Sequence, residues 1–579
     1  MKPELLAVRA VNQYRNYDIL AYLGLRYYLE NQCARRDRWS IDIATRLAFT
    51  RTSPNYFRSF HFKDVHTNNS VIHRDVYIPS PNDALAEAAL INECSKFEAF
   101  QSLQCVYSNR FPSKDSKEGI YQRYFSGLKD RHKSVADFCK SSSSTILQYT
   151  DIKKFYPHIT TELALKIWKE ACEKTDIHHK YRELGEKLLF DHESISLSFN
   201  PNNRKGHLLT GPMFSHLIAN LVLDSIDKKM SMEMPEQYWR YVDDVILSGE
   251  EEKVTSARNL LESLLGEKGL FLHTGDKDFK VSNSDWLKGE NDFDNSKSSL
   301  WWNFINNIKR FLLINPDQQP QLAQAFMENG VNINVLDYAY AIKESSYQEK
   351  VQDWLLKYGS WAIGKTRSLS VFGLVKESLY VRKMMIEEMN LLLETNPNID
   401  GYERKRLIPK LRYRAGQIAY LGTPDILRSV NEKLSLYPEL HVLSKVIGAA
   451  ESRDISDLLA LGSNAVKAAA QVLRLQNTPV KCSLETFGDV ESQGIAILQL
   501  YGIEITSQKS LDSISPLTSF ASENCEMQDL MESDNLFIKE LACLRGVAQP
   551  KKHLSLLNTA FDRDDEFVFD IINLALYVS

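Results

Sequence analysis

The feature that most constrains this chain is a pair of adjacent aspartates between two hydrophobic runs. Asp243 and Asp244 follow an aromatic residue in the sequence Tyr-Trp-Arg-Tyr-Val-Asp-Asp-Val-Ile-Leu. This pattern predicts a tight β-turn between two short strands. An Asp-Asp turn by itself is usually a solvated hairpin. Its meaning therefore depends on which other polar residues accompany it.

A third carboxylate, Asp151, occurs upstream in the segment Tyr-Thr-Asp-Ile-Lys-Lys-Phe-Tyr-Pro-His-Ile. That segment also fits an ordinary strand that leads into a helix. However, side chains from a turn and a neighbouring strand can converge on divalent cations, and Mg²⁺ prefers carboxylate oxygens together with substrate phosphates. Two such ions roughly 4 Å apart can hold the attacking and leaving oxygens of a phosphoryl displacement. The three aspartates are therefore typical of nucleotidyl transfer with two Mg²⁺ ions, for which Mn²⁺ can substitute.

These segments resemble, in their order along the chain, the palm motifs of reverse transcriptases. The resemblance implies that Asp151 and the backbone carbonyl of Ile152 bind metal. It implies that the ring of Tyr156 excludes a ribose 2′-hydroxyl, so that the substrates are deoxynucleotides. Asp243 and Asp244 match the catalytic turn of the family. In that pattern Asp151 and Asp243 hold the two ions, and Asp244 supports the site.

Between these motifs, residues 209–227 are similar to the family's glycine-containing turn and the helix after it. Gly211 would let the backbone approach the primer terminus and the base closely. Thr210 precedes it, where family members that copy long templates usually carry glutamine. This replacement resembles the abortive-infection and other defence-associated bacterial reverse transcriptases more than the retroviral or group II intron enzymes.

Three further basic residues match family positions, and a fourth, Lys63, is a candidate without such a match. Arg74 takes the place of the fingers arginine that grips the triphosphate, and a guanidinium fork suits phosphate. Lys63 is a candidate to assist it, and Arg110 stands where many members also carry arginine. Lys277 corresponds to the lysine that protonates departing pyrophosphate, in a copy of its motif that is one residue longer than usual.

The resemblance implies an antiphage-defence DNA polymerase whose synthesis is protein-primed, templated by a noncoding RNA, or untemplated. Its substrates would be dNTPs and its product DNA. A homo-oligomer, a noncoding RNA and a partner polymerase are the candidate partners. Three alternatives remain: a conventional RNA-templated enzyme of retron or group II type, an RNA-dependent RNA polymerase, which Tyr156 disfavours, and a non-catalytic nucleic-acid-binding scaffold.

The expected architecture is α+β. A right-hand polymerase with fingers and an antiparallel palm sheet would occupy residues 1–290. A helical, thumb-like region would follow at 291–345, where residues 300–314 are apolar at helical spacing. Residues 346–579 are expected to form an all-α, HEAT-like array. Its predicted helices are 351–358, 376–393, 410–421, 424–434, 454–461, 465–475 and 537–542.

A basic segment lies within this helical half, with two tyrosines among its six cations. A positive face with aromatic rings suits single-stranded nucleic acid, and a solvated helix face over its own core is an equally good interpretation. Its cations are Arg404, Lys405, Arg406, Lys410, Arg412 and Arg414. Further on, residues 562–566 are acidic.

Composition and charge exclude few classes of function. The formal net charge of −5 over 579 residues does not indicate nucleic-acid binding, but a basic channel can exist on a mildly acidic protein. No run of about 18 apolar residues predicts a membrane span, and the N-terminus does not resemble a signal peptide. The eight cysteines form no C-x-x-C pair, which favours neither a zinc site nor a disulfide framework. A reduced, cytoplasmic protein is expected.

Overall fold

The structure, a computed structural model, describes most of the chain. The predicted helix at 351–358 and the acidic residues 562–566 lie outside the described residues. The described residues are 4–30, 39–50, 55–65, 70–113, 119–142, 146–199, 205–275, 277–288, 299–333, 335, 369–394, 398–399, 401–475, 478–522 and 527–547.

The chain forms two compact units. The first unit takes its residues from Met1–Arg58, Val76–Phe293 and Cys543–Gln549. The second takes most of its described residues from Asp294–Ala542, together with the early segment Ser59–Asp75. The early segment lies within the range predicted for the first domain but belongs to the second unit. The predicted domains at 1–290, 291–345 and 346–579 stay predictions.

A four-stranded antiparallel sheet organises the first unit, with strand order β4-β5-β3-β6. Strand β3 lies inside the sheet, and its neighbours are β5 and β6. A separate hairpin, β1–β2, begins and ends in the first unit and has its middle in the second. The strands are β1 Tyr56–Val65, β2 Val71–Pro79, β3 Ile146–Asp151, β4 Tyr238–Tyr241, β5 Asp244–Gly249 and β6 Phe279–Ser282.

Helices surround this sheet, and the fully buried Trp168 marks their core. Its ring centroid lies 5.2 Å from that of Phe214 and 5.6 Å from that of Phe100. Gly185 makes room for the indole, since a Cβ there would lie 2.3 Å from it. The helices are α1 Glu4–Tyr17, α2 Ile19–Glu30, α3 Trp39–Thr50, α4 Pro81–Cys94, α5 Tyr124–Ser141, α6 Phe155–His158, α7 Thr161–Glu173, α8 His179–Phe199, α9 Met213–Glu233, α10 Glu251–Gly266 and α11 Asn283–Lys288.

The predicted glycine turn followed by a helix is confirmed at the start of α9. Gly211 has φ +127°, and a Cβ there would lie 2.3 Å from the carbonyl oxygen of Tyr77, so only glycine fits. The first turn of α9 is buried, and the Phe214 N–H donates to the Glu87 carboxylate at 3.1 Å. The carboxylate satisfies a helix-start donor that has no partner within the helix.

The second unit is mainly helical. The predicted helix at 300–314 is confirmed as Ser299–Ile314, and the predicted helix at 424–434 is confirmed as Pro424–Leu434. The helices are Ser299–Ile314, Gln319–Glu328, Val371–Leu393, Gly401–Leu421, Pro424–Leu434, His441–Ser452, Ser456–Leu459, Ser463–Leu475, Asp489–Leu500, Pro516–Ser522, Met527–Met531 and Leu536–Val547, the last of which continues into the first unit.

Two expectations for this half are wrong. It is not all-α, because Val480–Cys482 and Ile505–Ser507 pair as parallel strands. Strands of three residues are too short to give an alternating pattern, and the helix Asp489–Leu500 supplies the crossover that parallel pairing requires. The helix expected at 454–461 is reduced to Ser456–Leu459, because Asp454 forms a β-bridge with Lys481 and the Ile455 N–H donates to the Lys481 carbonyl at 3.0 Å. HEAT-like repetition stays a prediction.

The middle of the β1–β2 hairpin is held by side chains from a sequence-distant part of the second unit. The Ser59 and Ser463 hydroxyls lie 2.6 Å apart, and the Phe62 N–H donates to the Asn464 amide oxygen at 3.1 Å. The His73 ring Nε2 lies 2.9 Å from the Ala460 carbonyl oxygen. Within the described residues, no helix is long and apolar enough to cross a membrane.

Candidate active site

The strand register places two of the predicted carboxylates opposite each other. Asp151 at the end of β3 pairs with Asp244 at the start of β5. Directly opposed residues in an antiparallel pair project from the same face of the sheet, and like charges there are destabilising. Asp151 is buried and Asp244 is half-buried. The arrangement therefore concentrates negative charge at one end of the sheet.

The third carboxylate lies in the turn between β4 and β5, as the sequence predicted. Tyr241 pairs with Asp244, which leaves Val242 and Asp243 as a two-residue loop. Val242 has φ +54°. Two-residue hairpin loops favour a positive φ at their first position, but a β-branched residue there is strained. The carbonyl of Asp243 accepts a hydrogen bond from the Ile152 N–H at 3.0 Å, which ties the turn to the chain after β3.

Two side chains hold the strained turn. The Ser108 hydroxyl accepts a hydrogen bond from the Val242 N–H at 2.7 Å, and Arg240 donates to the Val242 carbonyl at 2.8 Å. Arg240 is 1% exposed and forms two bonds to the Asp227 carboxylate, at 2.9 and 2.7 Å. Asn220 links these two residues, since its amide oxygen accepts from Arg240 at 3.3 Å and its amide nitrogen donates to the Ser108 carbonyl at 3.2 Å.

No motif in the sequence indicates a role for Asp227 or Arg240. Their side chains are thirteen positions apart on α9 and β4, a separation that neither helical nor strand periodicity detects. The only signal in the sequence is their location, since Asp227 ends the 209–227 segment and Arg240 lies just before the Asp243–Asp244 turn. This buried ion pair connects the helix after Gly211 to the turn that carries Asp243.

Two cations lie beside the carboxylates. Lys277 Nζ is 3.2 Å from Asp151 Oδ2, and its side chain is 42% exposed. Arg131, which no motif in the sequence indicates, is buried with Nη1 3.9 Å from Asp244 Oδ2 and its guanidinium carbon 5.5 Å from the Tyr241 ring centroid. No sequence motif surrounds Arg131 on α5. The structure thus places Lys277 beside Asp151, one of the three predicted carboxylates.

Burial raises the pKa of Asp244, and the nearby charge of Asp151 adds to the rise. Arg131 and a hydrogen bond from Tyr149 act in the opposite direction without cancelling it. Within the described part of the chain, no group of three His, Cys, Asp or Glu side chains is arranged to hold a metal ion. The donor chemistry nevertheless fits a hard cation, since a buried carboxylate facing a second carboxylate favours added positive charge.

Tyr156 lies on the short helix α6, directly after this end of β3. Its phenol oxygen is 2.6 Å from Nδ1 of His216 on α9. Thr210 accepts a hydrogen bond from the Tyr77 N–H through its backbone carbonyl at 2.8 Å, and it is followed by the constrained Gly211. The α9 start and the aromatic residue at 156 thus belong to one packed region of the first unit.

The remaining predicted substrate residues are placed differently. Arg74 is half-buried and Lys63 is exposed, and both belong to the part of the β1–β2 hairpin that lies in the second unit. Arg110 donates to the backbone carbonyls of Val106 and Gln104. Its guanidinium therefore holds its own loop in this structure. Arg74 and Lys63 thus belong to the second unit, whereas Arg110 belongs to the first.

Two arginines of the basic segment form internal pairs. Arg404 donates twice to the Glu439 carboxylate, at 2.5 and 2.9 Å. Arg414 is buried, pairs with Glu388 and donates to the Gln417 amide oxygen at 2.8 Å. Burial lowers the pKa of Arg412 to about 10. Burial of Arg414 gives it a packing role, whereas Lys405 is exposed and Arg406 and Lys410 are half-buried.

No family model matches the chain, and no curated protein matches its sequence. Among solved structures, the chain has a weak similarity to telomerase from Candida albicans in complex with the TWJ fragment of telomeric RNA. The sequence identity is 11% and the TM-score is 0.27, over 71% of this chain and 70% of the telomerase chain. A TM-score of this size is below the level at which two chains share a fold.

Proposed function

We propose that this protein is a DNA polymerase of reverse-transcriptase type, which joins deoxynucleotides to a hydroxyl and releases pyrophosphate. The observation that carries the proposal is the opposition of Asp151 and Asp244 across β3 and β5, beside a strained turn that presents Asp243. A solvated hairpin has no need of a strained valine held by two buried side chains, whereas strained backbone is concentrated at functional sites.

Asp151 and Asp243 would hold Mg²⁺, and Asp244 would support them. Bound Mg²⁺ supplies charge neutralisation at the transferring phosphate. The chain's own groups do the positioning on which such chemistry chiefly depends. Tyr156 excludes a ribose 2′-hydroxyl, and Gly211 admits the nascent base pair. Lys277, which is partly exposed beside Asp151, turns toward the pyrophosphate and gives it a proton.

The biological role belongs to the same proposal. Thr210 supports synthesis that does not depend on ordinary templating, as in the defence-associated enzymes that the sequence resembles. Antiphage defence is therefore the proposed setting, with a protein, a noncoding RNA or no template directing the product. A homo-oligomer is the proposed assembly.

The test is incorporation of labelled dNTPs by the full-length protein with Mg²⁺, compared with the Asp243→Asn variant. Asn keeps the shape of the side chain but removes its charge, so incorporation should fall to background while the thermal unfolding curve stays unchanged. Asp176→Asn is the matched control, because Asp176 is exposed in the first unit. Appreciable incorporation by Asp243→Asn would refute the assignment.

The template question has its own experiment, which is to sequence the nucleic acid that copurifies with the protein before and after dNTPs and Mg²⁺ are added. DNA of random or simple-repeat sequence bound covalently to the protein supports self-primed, untemplated synthesis. A defined RNA with its complementary DNA supports a dedicated noncoding template.

A further inference from the structure

The side chain of Tyr156 is tethered by His216, a residue of the 209–227 segment to which the sequence assigns no role. Its phenol oxygen lies 2.6 Å from Nδ1 of His216, and the two ring centroids are 5.6 Å apart in an edge-to-face arrangement. Because His216 is on α9 and Tyr156 is on α6, the bond joins two elements that approach the carboxylate end of the sheet from different parts of the chain.

His216 can keep this bond throughout the neutral pH range. Burial lowers its pKa to about 4, so the imidazole is uncharged above that value. A neutral imidazole has one donor and one acceptor nitrogen. The phenol can therefore donate to Nδ1 in one tautomer or accept from it in the other, and the tether forms either way.

The surroundings hold His216 itself in place. Tyr121 packs edge-on against the imidazole with 6.2 Å between ring centroids, and its hydroxyl donates to the Met213 carbonyl at 2.9 Å. The ring centroid of Phe155 lies 5.4 Å from that of Tyr156. The backbone that carries His216 is in turn fixed by the close approach at Gly211.

We propose that His216 is a positioning residue that determines sugar specificity by fixing the ring of Tyr156. This inference rests on the proposed function. A steric barrier against a 2′-hydroxyl works only while its ring cannot turn aside, and a tyrosine side chain has two torsions about which it could do so. The hydrogen bond to His216 removes that freedom, since it anchors the far end of the ring to α9.

The experiment measures the ratio of kcat/KM for each dNTP to that for the matching NTP, using full-length protein with Mg²⁺, in the presence and absence of poly(rA) annealed to oligo(dT). His216→Phe keeps an aromatic ring and removes the tether, so the ratio should fall roughly five- to tenfold, the effect of one hydrogen bond. Tyr156→Phe removes the same bond from the other side and should give the same fall.

The double variant distinguishes tethering from a general loss of structure. If both changes remove one bond, Tyr156→Phe combined with His216→Phe should be no worse than either single variant. His158→Phe is the matched control, because His158 lies on the same short helix and bonds to the Lys153 carbonyl at 2.8 Å. Its ratio should equal that of the wild type.

An unchanged ratio in folded His216→Phe protein overturns the inference, as does an equal fall in the His158→Phe control. If His216→Phe does not fold, Tyr156→Phe decides alone. Equal use of dNTPs and NTPs by the wild type also overturns it. Failure of the wild type to incorporate any nucleotide instead rejects the proposed function, on which the inference depends.

Discussion

At the scale of single residues, Val242 shows how local strain is maintained. A left-handed conformation costs an ordinary residue about 1–2 kcal/mol. The turn keeps it because the N–H of Val242 is bonded to Ser108 and its carbonyl to Arg240. Both partners are buried, so they cannot be replaced by water without rearrangement.

Removing the Ser108 hydroxyl should therefore loosen the turn. Ser108→Ala leaves the Val242 N–H without its acceptor, and we expect a loss of about 1–2 kcal/mol of stability together with a lower kcat for dNTP incorporation. Urea denaturation and incorporation kinetics measure the two effects. Ser141→Ala, at an exposed helical serine, should change neither, and equal effects from both variants would show that the turn is not the cause.

The buried carboxyl of Glu87 should make the stability of the protein depend on pH. Burial raises the pKa of this carboxyl to about 8, although the hydrogen bond from Phe214 opposes the rise. A carboxyl that binds its proton more tightly in the folded state stabilises that state at low pH. This contribution should be lost as the pH rises from about 4.5 to about 8.

The Tyr56 hydroxyl lies 3.1 Å from Glu87 Oε1. Glu87→Gln should remove this component, since its amide oxygen can accept from Phe214 while its NH₂ group donates to the Tyr56 oxygen. We expect the variant to have a flatter Tm profile between pH 5 and 9 and a higher Tm than the wild type at pH 8.5. Differential scanning calorimetry across this range provides the measurement. Parallel profiles for the two proteins would contradict the assignment.

Asp244 gives a related prediction for metal removal. Because its pKa is raised, its charged form costs stability at neutral pH unless a cation is present. In EDTA, Asp244→Asn should melt at a higher temperature than the wild type. Adding Mg²⁺ should raise the Tm of the wild type more than that of the variant, and identical Mg²⁺ responses would contradict a cation at this carboxylate.

Residues whose placement follows from a local pattern could be predicted from the sequence, and residues whose placement follows from tertiary contact could not. Asp243 and Asp244 occur in a sequence pattern that predicts a β-turn, and the strand register brings Asp151 beside Asp244. Arg131 acts through burial against Tyr241, which no local pattern encodes. Arg414 shows the converse, since its basic neighbourhood indicated a surface while its guanidinium is buried.

At the scale of elements, the start of α9 is the most constrained junction of the first unit. Gly211→Ala would place a Cβ 2.3 Å from the Tyr77 carbonyl oxygen at a φ of +127°. We expect it to destabilise the protein by about 2–4 kcal/mol and to abolish incorporation. Chemical denaturation of the purified variant measures the first effect.

The matched control is Gly266→Ala at the end of α10, where a Cβ would meet nothing within 4 Å. Alanine is the better helix former, so the control should be neutral or more stable by up to about 1 kcal/mol. If both glycine variants were equally stable, the close approach at Gly211 would not be the constraint it is taken to be.

Element lengths explain which helices and strands were predictable. Ser299–Ile314 and Pro424–Leu434 are long enough to show helical spacing, and both were predicted. The strands Val480–Cys482 and Ile505–Ser507 contain three residues each, which is too few to show alternation. Their pairing depends on the helix between them, so only the tertiary structure reveals it.

At the scale of the whole molecule, the second unit is discontinuous in sequence. Phe62 is 4% exposed, and its ring stacks on His441 with 6.0 Å between centroids. A fragment ending at residue 293 keeps this hairpin and lacks its partners. We therefore expect the fragment to aggregate and to bind 1-anilinonaphthalene-8-sulfonate more strongly than the full chain does.

The same fragment with Phe60→Ser and Phe62→Ser is the control, since it removes the apolar side chains that the truncation uncovers. Its solubility should be restored in large part. A fragment that is soluble and monomeric without these changes would show that the hairpin does not need the second unit.

The early position of this hairpin has a consequence for synthesis on the ribosome. Phe60 and its hydrogen-bonding partner Ser463 are separated by 403 residues. At a translation rate of about 5–20 residues per second, the hairpin emerges roughly 20–80 s before that partner. During this interval its paired strands and apolar rings lack their native partners, so we expect chaperones to bind residues 56–79 of the nascent chain.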